Sequence, residues 1–535
     1  MTKKIAIFDS TLRDGAQAEG ISFSLEDKLK TVRVLDALGI EFIEAGNPFS
    51  NPRDLEFFKR TNELELAQAN LVAFGSTRRK DISPEEDDNI RSLLTAGTEH
   101  IAIFGKCWDF HVTDIIRTSL EENLKMIEDT VSYLTARGKQ VFFDAEHFFD
   151  GYKHNPEYAI SALKAAQTGG ARSLVLCDTN GGCLPQEVDA IVRAVAEVVD
   201  LPLGIHCHND SGCAVANSMA AVQAGVSEVQ GTLIGIGERC GNANLSTIIA
   251  NLQLKLGYDV LPPEGLELLT QAAHQLGEIA NLNFDEYMPF VGRNAFSHKG
   301  GMHVDGAMKD PRSFEHEDPA ATGNTRRFLM SEVAGRSTIM KNIQKVAPQL
   351  ERDSEEVRLI IARLKELEGQ GYQFEGAESS FELIIRKQLG KHQPFFKVCD
   401  YKIIGEQRSE SDEYTAYAMV KVQVEGETKV TAAEGQGPVN ALDRALREAL
   451  EDFYPAIRKT SLTDYKVRVL DSDDATASKV RVLISTTDGE KEWTTIGVSR
   501  DIINASITAL VDSMEILLLR ELETKVRTYM NASLM

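Results

Sequence analysis

Residues 201–210 read LPLGIHCHND. A short apolar run ends in two histidines spaced two apart, His206 and His208, followed by Asn209 and Asp210. In a β-strand, residues i and i+2 project to the same side. A strand here therefore carries both imidazoles off one face at its C-terminal end. The run is the seventh of a series: KIAIFDST (4–11), EFIEAGN (41–47), NLVAFGS (70–76), HIAIFGK (100–106), KQVFFDAEHF (139–148), RSLVLCDT (172–179), LPLGIHCH (201–208) and EVQGTLIG (228–235). Amphipathic stretches such as SLEDKLKTVRVLDALG (24–39) and PQEVDAIVRAVAEVV (185–199) separate them. Ser24 with Asp27 three residues on reads as a capping box, and Gly39 as the residue that ends the first helix. Nearly all-apolar strands alternating with helices imply a parallel sheet covered on both faces. Eight such units in about 250 residues predict a (β/α)₈ (TIM) barrel, in preference to a doubly wound sheet.

The chain has 535 residues, room for more than one domain. A composition of 42% hydrophobic and 26% charged residues is that of an ordinary globular protein. A formal charge of −23 argues against nucleic acid or an anionic membrane surface as the main partner, since both need a basic patch. MTKKIAIFDST has too short an apolar run for a signal peptide. No apolar run approaches the ~18 residues of a membrane span. The seven cysteines are odd in number and show no CxxC pair, so reduced thiols and a cytoplasmic location are expected.

The barrel is expected over residues 1–260. Beyond it, 261–393 reads as a helical linker subdomain, with helices over 271–282, 328–345 and 353–371 and one irregular functional loop, GRNAFSHKGGMHVDGAMKDPRSF (292–314). From 394 to 535 the pattern becomes βββα written twice, with a period of about 65 residues. FKVCDYKII, YTAYAMVKVQV and ETKVTAAEG precede GPVNALDRALREALEDF; LTDYKVRVL, SKVRVLIST and KEWTTIGVS precede DIINASITALVDSMEILLLREL. These strands carry no cluster of catalytic residues, so a regulatory or dimerisation domain is expected.

Active sites of TIM barrels lie at the C-terminal ends of the strands. Those ends here carry Asp9 and Arg13-Asp14, Glu44, Asp144 and Glu146, Asp178 and Thr179, His206 and His208, and, after the eighth strand, Glu238, Arg239 and Asn242. Two imidazoles with converging carboxylates make a divalent-metal site. Asp14, His206, His208 and the Asn242 amide oxygen are the expected ligands, leaving positions open for substrate. GIGERCG (235–241) is not GxGxxG and follows the last strand, so dinucleotide binding is not expected. Cys207 and Cys240 read as buried structural thiols.

STLRDGAQ (10–17), FIEAGNP (42–48), HCHND (206–210) and GERCGNANL (237–245) resemble the family that joins 2-isopropylmalate synthase, homocitrate synthase, citramalate synthase and HMG-CoA lyase, the DRE-TIM metallolyases. GGMHVDG (300–306), SEVAGRSTI (331–339) and the duplicated tail resemble its synthase branch. FDAEHFFDGYKHNP (143–156) and CDTNGGCLP (177–185) are similar to its citramalate-forming members, and CDTNGG replaces the PDTVGY-like segment of isopropylmalate synthases. The resemblance implies an acyltransferase that condenses acetyl-CoA with pyruvate and water to citramalate and CoA, on a route to isoleucine. The alternatives are 2-oxoisovalerate as acceptor, as in leucine biosynthesis, or a homocitrate-type synthase. It implies a divalent cation (Mn²⁺, Mg²⁺ or Zn²⁺), Arg13 on the keto oxygen, Glu44 holding Arg13 or a metal-bound water, and Glu146 and Thr179 contacting substrate. His303, of this chain or of a partner subunit, would take part in deprotonating the acetyl methyl group, a task that Glu146 could also fill. It also implies a homodimer and isoleucine as effector. Phe104, Phe143, Phe148 and Phe149 are the candidates to close a pocket around the pyruvate methyl group.

Overall fold

The computed structural model describes residues 3–532 except 62–63, 329–339, 341–342, 345, 352–353, 375–376, 408–413, 471–477 and 490. The described chain falls into two units, residues 1–296 with 316–326, and residues 297–315 with 327–535.

The first unit is a closed barrel of eight parallel strands in sequence order: β1 (Ala6–Asp9), β2 (Phe42–Gly46), β3 (Asn70–Ser76), β4 (His100–Lys106), β5 (Gln140–Glu146), β6 (Ser173–Asp178), β7 (Leu203–Cys207) and β8 (Glu228–Gly231). The expected barrel is thus present, strand for strand. β8 is shorter than its apolar run. The backbone oxygen of Ala243 lies 2.4 Å from where a Cβ on Gly231 would sit, so a returning segment crosses the strand there and the chain leaves the sheet. The period of two divides each strand between two cores. Phe8, Phe42, Val72, Ala102 and Phe142 fill the inside of the barrel. Ile7, Ile43, Ala73, Ile101, Ile103 and Phe143 face the helices. Helix Leu25–Leu38 begins at Ser24, whose hydroxyl accepts from the Asp27 amide in a full capping box, and ends at Gly39 in the left-handed region at φ 92°.

Lys28, on that first helix, is 3% exposed. Its ammonium ion-pairs with Asp54 at 2.6 Å and donates to the backbone oxygens of Leu12 (3.3 Å) and Ala45 (2.7 Å). One buried cation therefore ties the loop that bears Arg13 to the strand that bears Glu44.

The stretch 292–314 read as a loop, whose residues 292–296 belong to the first unit and 297–314 to the second, is mostly structured. Ser297–His298 pairs with Arg327–Phe328, and Gly301–Lys309 is a helix. Two glycines and a polar composition hid it, but Val304 and Ala307 are one turn apart and both buried. The phenyl ring of Phe314 lies where a Cβ on Gly306 would stand, at 2.4 Å. The helix expected over 353–371 spans Glu355–Gly369, and Glu378–Gln388 is a further helix. In the first unit, the helix expected over 271–282 spans Leu269–Ile279. The reading of 328–345 as a helix, and the fragment SEVAGRSTI within it, fall almost wholly outside the described residues.

The C-terminal repeat is two antiparallel three-stranded meanders, Lys397–Gln407, Tyr414–Val424 and Glu427–Gly435, then Ser461–Val469, Val480–Thr487 and Glu492–Ser499. Each is followed by its helix, Pro438–Leu450 and Ile502–Ala532. The first strand of each copy breaks register at the same place, between Val398 and Asp400 and between Leu462 and Asp464. By length and composition Ile502–Lys525 is apolar enough to cross a bilayer, but 67% of its apolar window is buried inside its own unit. Ala505, Ala509, Leu510 and Met514 form part of that unit's core.

Replacing Asp54 by alanine leaves the Lys28 ammonium buried without its counter-charge. Loss of ~3–5 kcal/mol of barrel stability is expected, read from urea denaturation by circular dichroism. The double variant Lys28→Met/Asp54→Leu is expected to regain most of it. A loss below about 1 kcal/mol for Asp54→Ala would show that the pair is not what holds this corner.

Candidate active site

The C-terminal ends of the strands open into a cavity of ≈ 250 Å³ whose lining includes Arg13, Asp14, Phe74, Phe104, Asp144, Glu146, Thr179, His206 and His208. Arg13 is the central cation. Its Nε donates to Glu44 Oε2 at 2.7 Å and its Nη1 to Asp14 Oδ2 at 2.9 Å, while the guanidinium carbon lies 3.9 Å from the centre of the Phe74 ring. Glu44 is fully buried beneath it and also accepts from the Ser10 hydroxyl. Glu44 does not line the cavity; it fixes the residue that does.

Asp14, His206 and His208 bring one ligand atom each to within 4.8 Å of one another, and all three are buried. His206 Nε2 lies 3.3 Å and His208 Nε2 3.8 Å from Asp14 Oδ2. Burial raises the cost of ionising Asp14, but Arg13 and the imidazoles outweigh it and hold the carboxyl well below its usual range. Burial, then the neighbouring His206, pushes His208 down to about 4, so its ring is neutral at physiological pH. Asn242 reaches the site because GIGERCG folds back on itself. A Cβ on Gly237 would meet the Asn242 amide nitrogen at 2.1 Å, and one on Gly241, at φ +88°, would meet the Gly235 oxygen at 2.1 Å. Asn242 forms a bridge to His208, and its Nδ2 donates to the Ile236 oxygen at 3.2 Å. That bond turns Oδ1 away from the loop.

The residues present fit a divalent cation. Asp14 Oδ1 and Asn242 Oδ1 are buried acceptors without a hydrogen-bond partner, and His206 Nε2 and His208 Nε2 face the Asp14 carboxylate. Buried polar atoms left unpaired cost ~1–3 kcal/mol each, and a cation ligated by the carboxylate and the amide oxygen beside the imidazoles would remove that cost. Mixed nitrogen and oxygen donors suit Mn²⁺, Mg²⁺ or Zn²⁺.

Around this cluster, Glu146 ion-pairs with Lys106. The Thr179 hydroxyl accepts from the His147 amide at 2.9 Å, and the Thr179 carbonyl accepts from Arg239, which also clasps Asp210 with two bonds of 2.8 and 3.0 Å. Asp9 and Asp178 serve their own loops: Asp9 accepts from the Thr11 amide and hydroxyl, and Asp178 from the amides of Gly182 and Cys183. His303 belongs to the second unit, on helix Gly301–Lys309, where its ring stacks on Phe314 with centroids 4.4 Å apart.

The aromatic expectations need correction. Phe104 lines the cavity, but Phe143, Phe148 and Phe149 are fully buried in the core between strands and helices. Phe143 stands between inward-facing Phe142 and Asp144, so strand alternation points it outward. Phe148 and Phe149 lie on the short helix Phe148–His154 behind β5. The residue overlooked is Phe74, stacked on Phe104 at 5.5 Å. Its signal was in the sequence, since VAFGS and AIFGK place a phenylalanine at matching points of neighbouring strands. Gln17, Cys177 and Gln230 were also missed. Cys177 lines the cavity, but burial pushes its thiol well above the usual value, which excludes a thiolate nucleophile. Cys207 is buried as expected, whereas Cys240 is exposed.

Fold and site together define a (β/α)₈-barrel protein with a buried carboxylate–imidazole cluster and a clamped arginine at the C-terminal face. Residues 4–275 match the HMGL-like family, 290–371 the homocitrate synthase post-HMGL domain-like family, and 375–518 the LeuA allosteric (dimerisation) domain. The chain belongs to the HMGL-like family. It is 48% identical to the (R)-citramalate synthase of Aquifex aeolicus over 98% of this chain and 99% of that one. It is 49% identical to the (R)-citramalate synthase of Geobacter sulfurreducens, over 96% and 97%, and 50% identical to that of Synechocystis, over 96% of each.

Single variants His206→Ala and His208→Ala are expected to lose Mn²⁺ binding in equilibrium dialysis while keeping the far-UV spectrum of the parent, because residues at this face of a barrel serve function more than stability. Retention of parent-like binding by both would remove them as ligands.

Proposed function

We propose that the protein is a citramalate synthase, an acyltransferase that condenses acetyl-CoA with pyruvate and water to give (R)-citramalate and CoA. The observation that carries this reading is the joining of Arg13, Asp14, His206 and His208 in the wall of a small cavity, with Asn242 bridged to His208, in a chain 46–50% identical to proteins of that name over nearly its full length. Asp14, His206, His208 and Asn242 would hold a divalent cation, which would supply Lewis-acid polarisation and a template for the keto acid. The residues do the rest. With Nε and Nη1 committed to carboxylates, Arg13 offers Nη2 to the keto oxygen, where negative charge develops as the carbon–carbon bond forms. Glu44 keeps the guanidinium from swinging away. Thr179 holds the substrate carboxylate end. The proton of the acetyl methyl group goes to Glu146 or to His303, and single variants separate the two. In this reading residues 1–260 carry the chemistry, 261–393 contribute His303, and 394–535 assemble a homodimer and receive an amino-acid effector, isoleucine. The product then feeds a route to that amino acid in the cytoplasm.

Selectivity follows from size. The cation and Arg13 grip the part that all 2-oxo acids share, so the walls decide, and the stacked Phe74–Phe104 pair closes the cavity. A thiol-release assay with acetyl-CoA and a panel of 2-oxo acids tests the proposal, with isoleucine added to test the effector. The value of kcat/KM for pyruvate is expected at least ~10²-fold above that for 2-oxoisovalerate, or about 2.7 kcal/mol. Phe104→Ala is expected to narrow the ratio. Equal or reversed preference in the parent protein would make this an isopropylmalate-type synthase.

Arg13→Lys keeps the charge but loses the planar fork that spans Glu44 and Asp14. A fall in kcat of roughly 10²-fold or more is expected, with a smaller change in KM. An effect confined to KM would make Arg13 a binding residue only.

A further inference from the structure

We infer that Gln230 is a positioning residue that sets the tautomer of His206, so that the Nε2 lone pair faces the ligand cluster. The inference rests on the cation site proposed above. Gln230 lies on β8, is fully buried, and is the direct cross-strand neighbour of His206 in the β7–β8 ladder. Its Oε1 is 3.2 Å from His206 Nδ1. Its Nε2 donates to Asp144 Oδ1 and to Glu228 Oε1, both at 3.2 Å, and Glu228 is itself steadied by the Ser173 hydroxyl at 3.2 Å.

The two carboxyl groups decide which way the amide points. With both carboxyl groups ionised, a –NH₂ group between their oxygens makes two hydrogen bonds, whereas the flipped amide would set its oxygen against both. Oε1 is thereby turned toward His206. An oxygen there accepts only, so Nδ1 carries a proton, and in the neutral ring Nε2 is the unprotonated nitrogen. Nε2 is the atom that faces Asp14 at 3.3 Å. The chain Ser173–Glu228–Gln230–His206 is therefore a relay of orientation running from β6 through β8 to β7. His208 has no such support among the described residues, since its Nδ1 has no partner. His206 is thus the imidazole whose geometry is settled before any cation arrives. Outer partners of this kind change metal affinity ~10- to 100-fold when removed.

Full-length protein labelled with ¹⁵N-histidine, with the His206 signals assigned from His206→Ala, reports the tautomer in the metal-free state at alkaline pH, where the ring is neutral. The Nδ1–H form is expected in the parent. A predominant Nε2–H form there overturns the inference with no variant needed. Gln230→Met keeps the shape but has no acceptor: a mixed tautomer and Mn²⁺ affinity lower by ~10- to 100-fold in chelator competition are expected. Parent-like tautomer and affinity in Gln230→Met also overturn the inference. Failure of the parent to bind Mn²⁺, Mg²⁺ or Zn²⁺ would instead overturn the cation site, while the tautomer measurement would still decide the part played by Gln230.

Discussion

The structure depends on one pairing of distant segments. β1 and β8 close the barrel, with Ala6, Ile7, Phe8 and Asp9 opposite Glu228, Val229, Gln230 and Gly231. The seam continues past the strands, where the Ser10 amide donates to the Gly231 oxygen at 2.8 Å and the Leu233 amide to the Thr11 hydroxyl at 3.1 Å. Closure leaves no strand edge unpaired. It also carries Arg13 and Asp14, from the first loop of the chain, to the histidines of β7 and to Asn242 beyond β8. Without that seam the ligand set is three fragments, with Asp14 192 positions before His206 and Asn242 34 positions after His208.

Around the seam the protein buries charge in an amount that stability alone does not call for. Arg13, Asp14 and Glu44 form one connected group, and Lys28 with Asp54 forms another just behind it. Taking such groups out of water costs several kcal/mol each, and apolar replacements of the same volume often match or improve stability. Their retention at the mouth of the barrel is the mark of a site. The second group supports the first, because Lys28 bonds to the backbone next to Arg13 and next to Glu44. The unpaired atoms follow the same logic, since Asp14 Oδ1 and Asn242 Oδ1 are buried acceptors without a partner.

The second unit has a different economy of form. Its repeat extends to detail, with each copy breaking strand register at one matching point, around Cys399 and around Thr463. Such bulges bend and twist a strand, so the two meanders share their shape as well as their order. The helices that follow bury Leu442, Leu446 and Leu450 in one copy and Ala509, Leu510 and Met514 in the other. These cores are chiefly apolar. Residues 375–518 match an allosteric and dimerisation domain.

What the sequence by itself determined is whatever repeats with a short period or sits in a local motif. The eight strands, the capped first helix, the duplicated tail and the positions of Arg13, Asp14, Glu44, Glu146, Thr179, His206, His208 and Asn242 at strand ends are all of this kind, because hydrophobic periodicity and turn chemistry act over a few residues. What only the tertiary structure decided is which of two alternating faces a residue takes and what lies across from it. Phe143 is as aromatic as Phe104 but has the opposite parity along its strand. Phe74 became part of the cavity wall through a neighbour 30 positions away, and Gln230 acquired a role only when β8 was laid between His206 and two buried carboxyl groups. The helix around His303 was hidden by its glycines and emerges from the packing of Val304, Ala307 and Phe314. Contacts of this kind arise when segments far apart in the chain meet, and no local pattern records them.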